Sequence, residues 1–138
     1  MQESDVRQQF ADKIQRVPFA TGENKEQHTG TGIPLVALLL KAGLRTQQTP
    51  KHYDLSFFVI VEAHDGYRAY FSLAELLPAN GHASAFLIWD VDGKPLPAKE
   101  TPFRLIAASD RDADRSIYGI ATIRLVDGTK LANQLSKP

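Results

Sequence analysis

A chain of 138 residues with 43% hydrophobic content and 8 prolines is long enough for one compact domain with a sizeable core. Its 16 basic residues balance 16 acidic ones, so there is no global field to recruit nucleic acid or anionic lipid. Cysteine is absent, which excludes disulfides, zinc–thiolate sites and thiol nucleophiles together.

No stretch approaches the run of about 18 apolar residues that a membrane span needs. The opening Met-Gln-Glu-Ser-Asp is polar, as either a mature exported, periplasmic protein or a cytoplasmic N-terminus would be, and both stay open. Val6, Phe10 and Ile14 recur at every fourth position, which predicts one apolar stripe on a helix starting near Ser4 or Asp5. Pro18 biases Val17 towards extended backbone. Residues 21–32 are polar and glycine-rich, as in a hairpin tip or a surface loop, and match neither the Walker spacing nor the dinucleotide fingerprint. Residues 34–42 read as the clearest helix, with Pro34 in its first turn and Gly43 placed for a left-handed C-terminal cap. Leu35 to Leu40 are all apolar, which predicts burial on more than one side.

Residues 57–63 are β-branched and aromatic, the composition of a strand covered on both faces. Asp65-Gly66 supplies a two-residue turn, and residues 67–71 return as the second strand. Centred there, the turn sets Ile60 opposite Phe71 and Val61 opposite Tyr70. Ser72 and Glu75 form a capping box for a short helix that Pro78 stops. This hairpin and the 34–42 helix are expected to share a core that makes Leu35, Leu38, Leu39, Ile60 and Phe71 inaccessible.

Asn80-Gly81 is a turn signal, and residues 85–91 form a strand with the only tryptophan, Trp89. Asp92-Gly93 turns the chain, and residues 94–97 leave it without helix. Residues 103–108 read as a short strand, 109–116 as a charged loop, 117–126 as a long last strand closed by Asp127-Gly128, and 130–138 as a frayed tail. The expected fold is α+β: a curled, mixed, mostly antiparallel sheet with two or three short helices. One domain holds a core spanning about residues 6–126.

Candidate chemistry is sparse. Asp110, Asp112 and Asp114 begin like a calcium loop, but Arg115 stands where the loop needs glycine and Ala121 where it needs glutamate. A solvated charged loop is the reading kept. His28, His52, His64 and His82 show no metal-ligand spacing, and no serine-nucleophile elbow is present. His64, Asp65 and Tyr67 sit at a hairpin tip where they would line a pocket mouth. A tyrosine on a strand is otherwise a half-buried packing residue.

Five stretches in order resemble one family. Residues 31–44 (Thr-Gly-Ile-Pro-Leu-Val-Ala-Leu-Leu-Leu-Lys-Ala-Gly-Leu), the hairpin 62–76, the Trp-Asp-Val-Asp-Gly-Lys-Pro-Leu-Pro turn at 89–97, the Thr-Pro-Phe-Arg-Leu-Ile strand at 101–106 and the closing strand 115–125 are similar to segments of the sulfite oxidase-type molybdopterin-binding domain. The resemblance implies that domain's fold and a link to redox chemistry. It also implies a cysteine thiolate, upstream of residue 31, as the protein's ligand to molybdenum. This chain has none, and neither Ser4 nor Thr21 can replace a soft thiolate. Arg115 and Ser116 are the residues the resemblance carries over from the cofactor-phosphate region, the one as a guanidinium fork and the other as a hydroxyl donor. The other reading pairs Arg115 with Asp112 or Asp114 on the surface.

The expected function is a non-catalytic module that binds a small anionic ligand or a partner protein, accessory to a redox system, with Arg115, Ser116, Tyr67, Asp65 and His64 at the site and no metal or cofactor. Two alternatives remain. One is a molybdopterin-dependent oxidoreductase whose metal is held without protein sulfur, and the other is a structural protein with no ligand pocket.

Overall fold

A computed structural model describes residues 2–21, 24–41, 57–77, 85–107, 115–128 and 134–135. Helix α1 (Glu3–Gln9) starts where the Gln2 N–H donates to Asp5 Oδ2 at 3.2 Å, and it buries Val6. Phe10 closes it, with its N–H on the Val6 carbonyl and its backbone already non-helical. A single 3₁₀ turn (Ala11–Lys13) follows, so Ile14 falls off the helical stripe and is 37% exposed. The three-residue stripe read from sequence is therefore a two-residue one, Val6 and Phe10.

Strands β1 (Gln15–Thr21) and β2 (Glu26–Pro34) form an antiparallel hairpin in register from Gln15↔Gly32 to Thr21↔Glu26. The polar, glycine-rich stretch is thus mostly strand. Helix α2 (Leu35–Lys41) follows without a loop, so Pro34 ends a strand rather than opening the helix. Leu35, Val36 and Leu39 are buried, Leu38 is half-buried and Leu40 is 46% exposed. An all-round apolar sequence has produced a helix covered on one side.

Strands β3 (Phe57–Ala63) and β4 (Arg68–Ser72) pair as expected, one residue out of the expected register. The Ala63 N–H donates to the Tyr67 carbonyl at 2.9 Å and the Gly66 N–H to the Ala63 carbonyl at 3.0 Å, so the loop holds three residues, not two. Gly66 takes the left-handed position at φ 90, as a type I turn closed by a glycine bulge requires. The extra loop residue moves every partner by one: Val59 faces Phe71 and both are buried, while Ile60 faces the exposed Tyr70. Ser72 caps α3 (Leu73–Leu76) as a capping box, with Glu75 Oε2 accepting the Ser72 N–H at 2.9 Å.

Strand β5 (Ala85–Val91) is central. It pairs with β2 on one side and with both β6 (Lys94–Pro95) and β7 (Arg104–Ala107) on the other. Strand β8 (Ile120–Asp127) pairs with β3, giving a second sheet of order β4-β3-β8. Every pairing among the described residues is antiparallel. The class is α+β, curled antiparallel sheet with three short helices, α1 to α3, among the described residues. The sheets run together where Leu105 and Ile117 exchange backbone hydrogen bonds and the Ile120 N–H reaches the Phe103 carbonyl at 3.0 Å. Between them lies the main core, including Ile33, Leu35, Val61, Phe71 and Leu87. A second cluster of Val17, Phe19, Phe86, Ile88 and Ile106 packs separately. Alternation along β5 feeds both, since Leu87 points one way and Phe86 and Ile88 the other.

The Gly43 cap, the Pro78 stop, the Asn80-Gly81 turn, the aspartate loop at 110–114 and most of the tail lie outside the described residues.

Candidate functional site

The hairpin tip chosen from sequence borders concave surface. The His64 N–H donates to the Gly119 carbonyl at 2.9 Å, which ties the β3–β4 turn to the segment entering β8. Three clefts border on His64. One of about 670 Å³ is lined mainly by polar residues, Asp65, Lys99, Glu100, Arg104 and Tyr118 among them. A second of about 570 Å³ is mostly apolar and runs between α2 and β8. The third, about 500 Å³, lies towards Gln2, Trp89 and Leu96. None of the three is lined by Arg115, Ser116 or Tyr67.

Arg115 has a different occupation. Its Nη1 lies 2.8 Å from Glu75 Oε1 and donates to the Tyr70 carbonyl at 3.1 Å, while the guanidinium covers the Phe71 ring at 4.3 Å. Glu75 already serves the α3 capping box, so Arg115 fastens the approach to β8 onto the end of the hairpin. Ser116 Oγ accepts the Ala107 N–H at 3.3 Å and joins the same seam. Asp65 Oδ1 accepts the Tyr67 N–H at 3.0 Å and braces the turn. The expected grouping therefore divides: His64 and Asp65 border the clefts, whereas Arg115 and Ser116 make structural contacts elsewhere.

This latch predicts an acid sensitivity. Burial pushes the Glu75 carboxyl up, but the Ser72 N–H, the Arg115 guanidinium and the Ser72 hydroxyl outweigh it and hold Glu75 below its ordinary value. A carboxyl depressed in the folded state adds stability above its unfolded pKa and loses it as pH falls through the folded one. Glu75→Gln should flatten the acid limb of a stability–pH curve, and Arg115→Ala should cost about 1–2 kcal/mol at neutral pH, since both partners are about one-third exposed. An unchanged acid limb in Glu75→Gln would show that the pair is not coupled to folding.

Sequence reading missed Arg104, Lys99 and Tyr118. Arg104 is the one charge in the apolar run of β7, and that isolation was the available signal. Its guanidinium lies between two rings, 4.5 Å from the centre of Tyr118 and 5.1 Å from that of Phe19. Its Nε is buried without a hydrogen-bond partner, and no carboxylate among the described residues lies within ion-pair distance. Asp90 Oδ1 is also buried and unpartnered, and it makes no ion pair with Arg104.

A separate Asp–His contact clasps two hairpins. His28 Nδ1 is 2.6 Å from Asp92 Oδ2, Asp92 Oδ1 accepts the Thr29 N–H at 2.9 Å, and Glu26 lies 3.6 Å from His28 Nε2. The His28 and Thr29 hydrogen bonds hold the Asp92 carboxyl below its ordinary value. With carboxylates at both ring nitrogens, His28 is occupied as a tie between the β2 and β5–β6 elements.

The molybdenum chemistry implied by the resemblance finds no matching donors. The chain has no thiolate, and among the described residues no three His, Asp or Glu side chains converge as metal ligands. No protein-family model matches the chain, and no curated protein matches it significantly. No helix among the described residues is long and apolar enough to cross a membrane.

Proposed function

We propose that this chain is a non-catalytic binding module for a small anion, which it takes in the polar cleft beside His64 through Arg104 and Lys99. The observation that carries this reading is the state of Arg104: its guanidinium is braced by two aromatic rings, borders a cleft and has no carboxylate partner among the described residues. A guanidinium is always charged and presents a planar fork suited to carboxylate or phosphate. Because the rings already orient it, binding orders little more of the side chain. Lys99 brings a second positive charge to the cleft. Asp65 and Glu100 share its rim, which favours a compact anion over a polyanion. An accessory role beside a redox system rests on the family resemblance alone and makes a pterin phosphate one of the ligands to try.

Thermal unfolding with inorganic phosphate, a nucleoside monophosphate and a pterin phosphate tests the proposal. At least one should raise the Tm progressively with concentration, as a ligand of the native state does. Arg104→Gln should weaken that ligand by roughly ten- to a hundredfold, the effect of about 1.5–3 kcal/mol from a charge-assisted contact. Lys99→Ala, an exposed change, should weaken it without touching the fold. Arg115→Ala should lower the starting Tm and keep the shift. No stabilisation by any of these anions at millimolar concentration would sink the reading, as would equal shifts in wild type and both cleft variants.

A further inference from the structure

The apolar cleft between α2 and β8 has a feature that a small-molecule pocket does not need. Ile120, Ala121, Thr122 and Ile123 all line it. Side chains alternate along a strand, but the extra residue at Ala121 interrupts the alternation and lets consecutive residues of β8 border the same cleft. Strand β8 pairs with β3 alone among the described residues, and no ladder among them takes up the backbone N–H and C=O groups on its other edge from Thr122 to Val126. Such an edge is a template for another strand.

Two other outer edges are blunted. Strand β1 carries Pro18, which has no N–H to offer, and the Tyr70 carbonyl of β4 already accepts from Arg115. Strand β8 contains no proline, and its single strand-centre charge is Arg124. A bulge at Ala121, where the β3 register shifts, bends the strand but leaves the pairing regular from Thr122 to Asp127.

The core-side face of β8 is also short of cover. Ile123 and Leu125 stand opposite Val61 and Val59, which are fully buried, yet Ile123 is only half-buried and Leu125 is 38% exposed. Across the cleft Leu38 of α2 is likewise half-buried, above a floor that includes Val6, Leu87 and Phe103. One more strand on β8 would cover Ile123, Leu125 and Leu38 together. Lys41, at the end of α2, is exposed on the same cleft and makes no ion pair among the described residues.

We propose that the open edge of β8 and the apolar groove beside it receive an extended peptide of a partner protein as the fourth strand of the β4-β3-β8 sheet, with an acidic side chain of that peptide against Lys41. Backbone pairing along β8 supplies the attachment. Alternate apolar side chains of the peptide fill the groove, and the Lys41 ammonium selects for the acid. This site is distinct from the Arg104 cleft, so either can fail without the other.

The probe is a short synthetic peptide that alternates valine and threonine and ends in a glutamate. Its binding is followed by fluorescence anisotropy and by amide hydrogen exchange across residues 120–125. The glutamate peptide should bind and slow exchange in that run, and its lysine counterpart should bind at least about tenfold more weakly. Lys41→Glu, an exposed change, should reverse that preference. A peptide N-methylated along its pairing edge should lose binding, because no ladder can form. The proposal is overturned if the glutamate peptide leaves exchange in β8 unchanged, or if the N-methylated peptide binds equally well. It is also overturned if those amides are protected in the peptide-free monomer, which would mean that the chain covers its own edge. Protection that appears only with dimerisation would assign the edge to a second copy instead.

Discussion

Replacing Phe71 by alanine is expected to destabilise the protein by about 3–5 kcal/mol, the range for removing a buried aromatic ring. Phe71 is 1% exposed, sits opposite Val59 in the hairpin ladder and belongs to the main core. Its ring also carries the Arg115 guanidinium at 4.3 Å, so truncation removes the platform on which the Arg115–Glu75 latch rests. The two effects should therefore fail to add. A double-mutant cycle of Phe71→Ala with Arg115→Ala should show a coupling of about 0.5 kcal/mol or more. Ile60→Ala is the matched control, because Ile60 faces the exposed Tyr70 and should cost only about 1 kcal/mol. Urea unfolding of the four variants reads all of this, and equal losses at positions 60 and 71 would contradict the observed register.

That comparison shows what the sequence could convey. Composition and punctuation are local signals, and they located β3, the turn, the Ser72–Glu75 capping box, β5 and the Asp92-Gly93 turn correctly. The loop length was decided by a closer contest. A two-residue Asp65-Gly66 turn and a three-residue loop beginning at His64 share Asp65 and Gly66 and differ in which N–H reaches the Tyr67 carbonyl, that of His64 in the first and, as found, that of Ala63 in the second. One residue of loop was enough to move Phe71 from Ile60 to Val59.

The site was legible only in part, for a different reason. His64 and Asp65 were chosen because turn residues lie at the surface, a local fact that survives folding. Arg115 was carried over from the family resemblance, but its partners Glu75, Tyr70 and Phe71 are forty or more residues distant, and their arrangement is a product of the fold. The His28–Asp92 pair, 64 residues apart in sequence, was invisible on the same grounds. Arg104 shows the converse. A lone charge in an apolar strand was visible, but the two rings that hold it come from β1 and from Tyr118, and nothing in their spacing foretold the meeting. Charge type can be read from sequence, whereas whether a charge is already paired cannot, and that is what separates Arg104 from Arg115.

Gly32→Ala should be strongly damaging for a single added methyl group. A Cβ at Gly32 would lie 1.9 Å from the Leu87 carbonyl oxygen and 2.7 Å from the Ile88 Cα. Both are backbone atoms of the central strand, so no side-chain rotation relieves the clash. Strand β5 cannot easily retreat, since it is paired on both sides and its residues 85–89 are buried. The register shift between Thr31 and Gly32 falls at the same place, where β2 comes closest to β5 before entering α2. Overpacking a core costs about 1–3 kcal/mol when side chains can yield, and here the obstacle is backbone, so about 3 kcal/mol or more is expected. Because β7 takes its register from β5, Arg104 should be displaced as well, and any anion-dependent rise in Tm should vanish along with the stability. Gly66→Ala separates crowding from conformational strain: Gly66 has open space around it but sits at φ 90, so its cost should be only about 1–2 kcal/mol, with the anion response intact. Circular dichroism melts of the two variants, with and without the stabilising anion, decide the matter. A Gly32→Ala protein that melts within a degree or two of wild type would mean that β2 and β5 do not approach as closely as this fold requires.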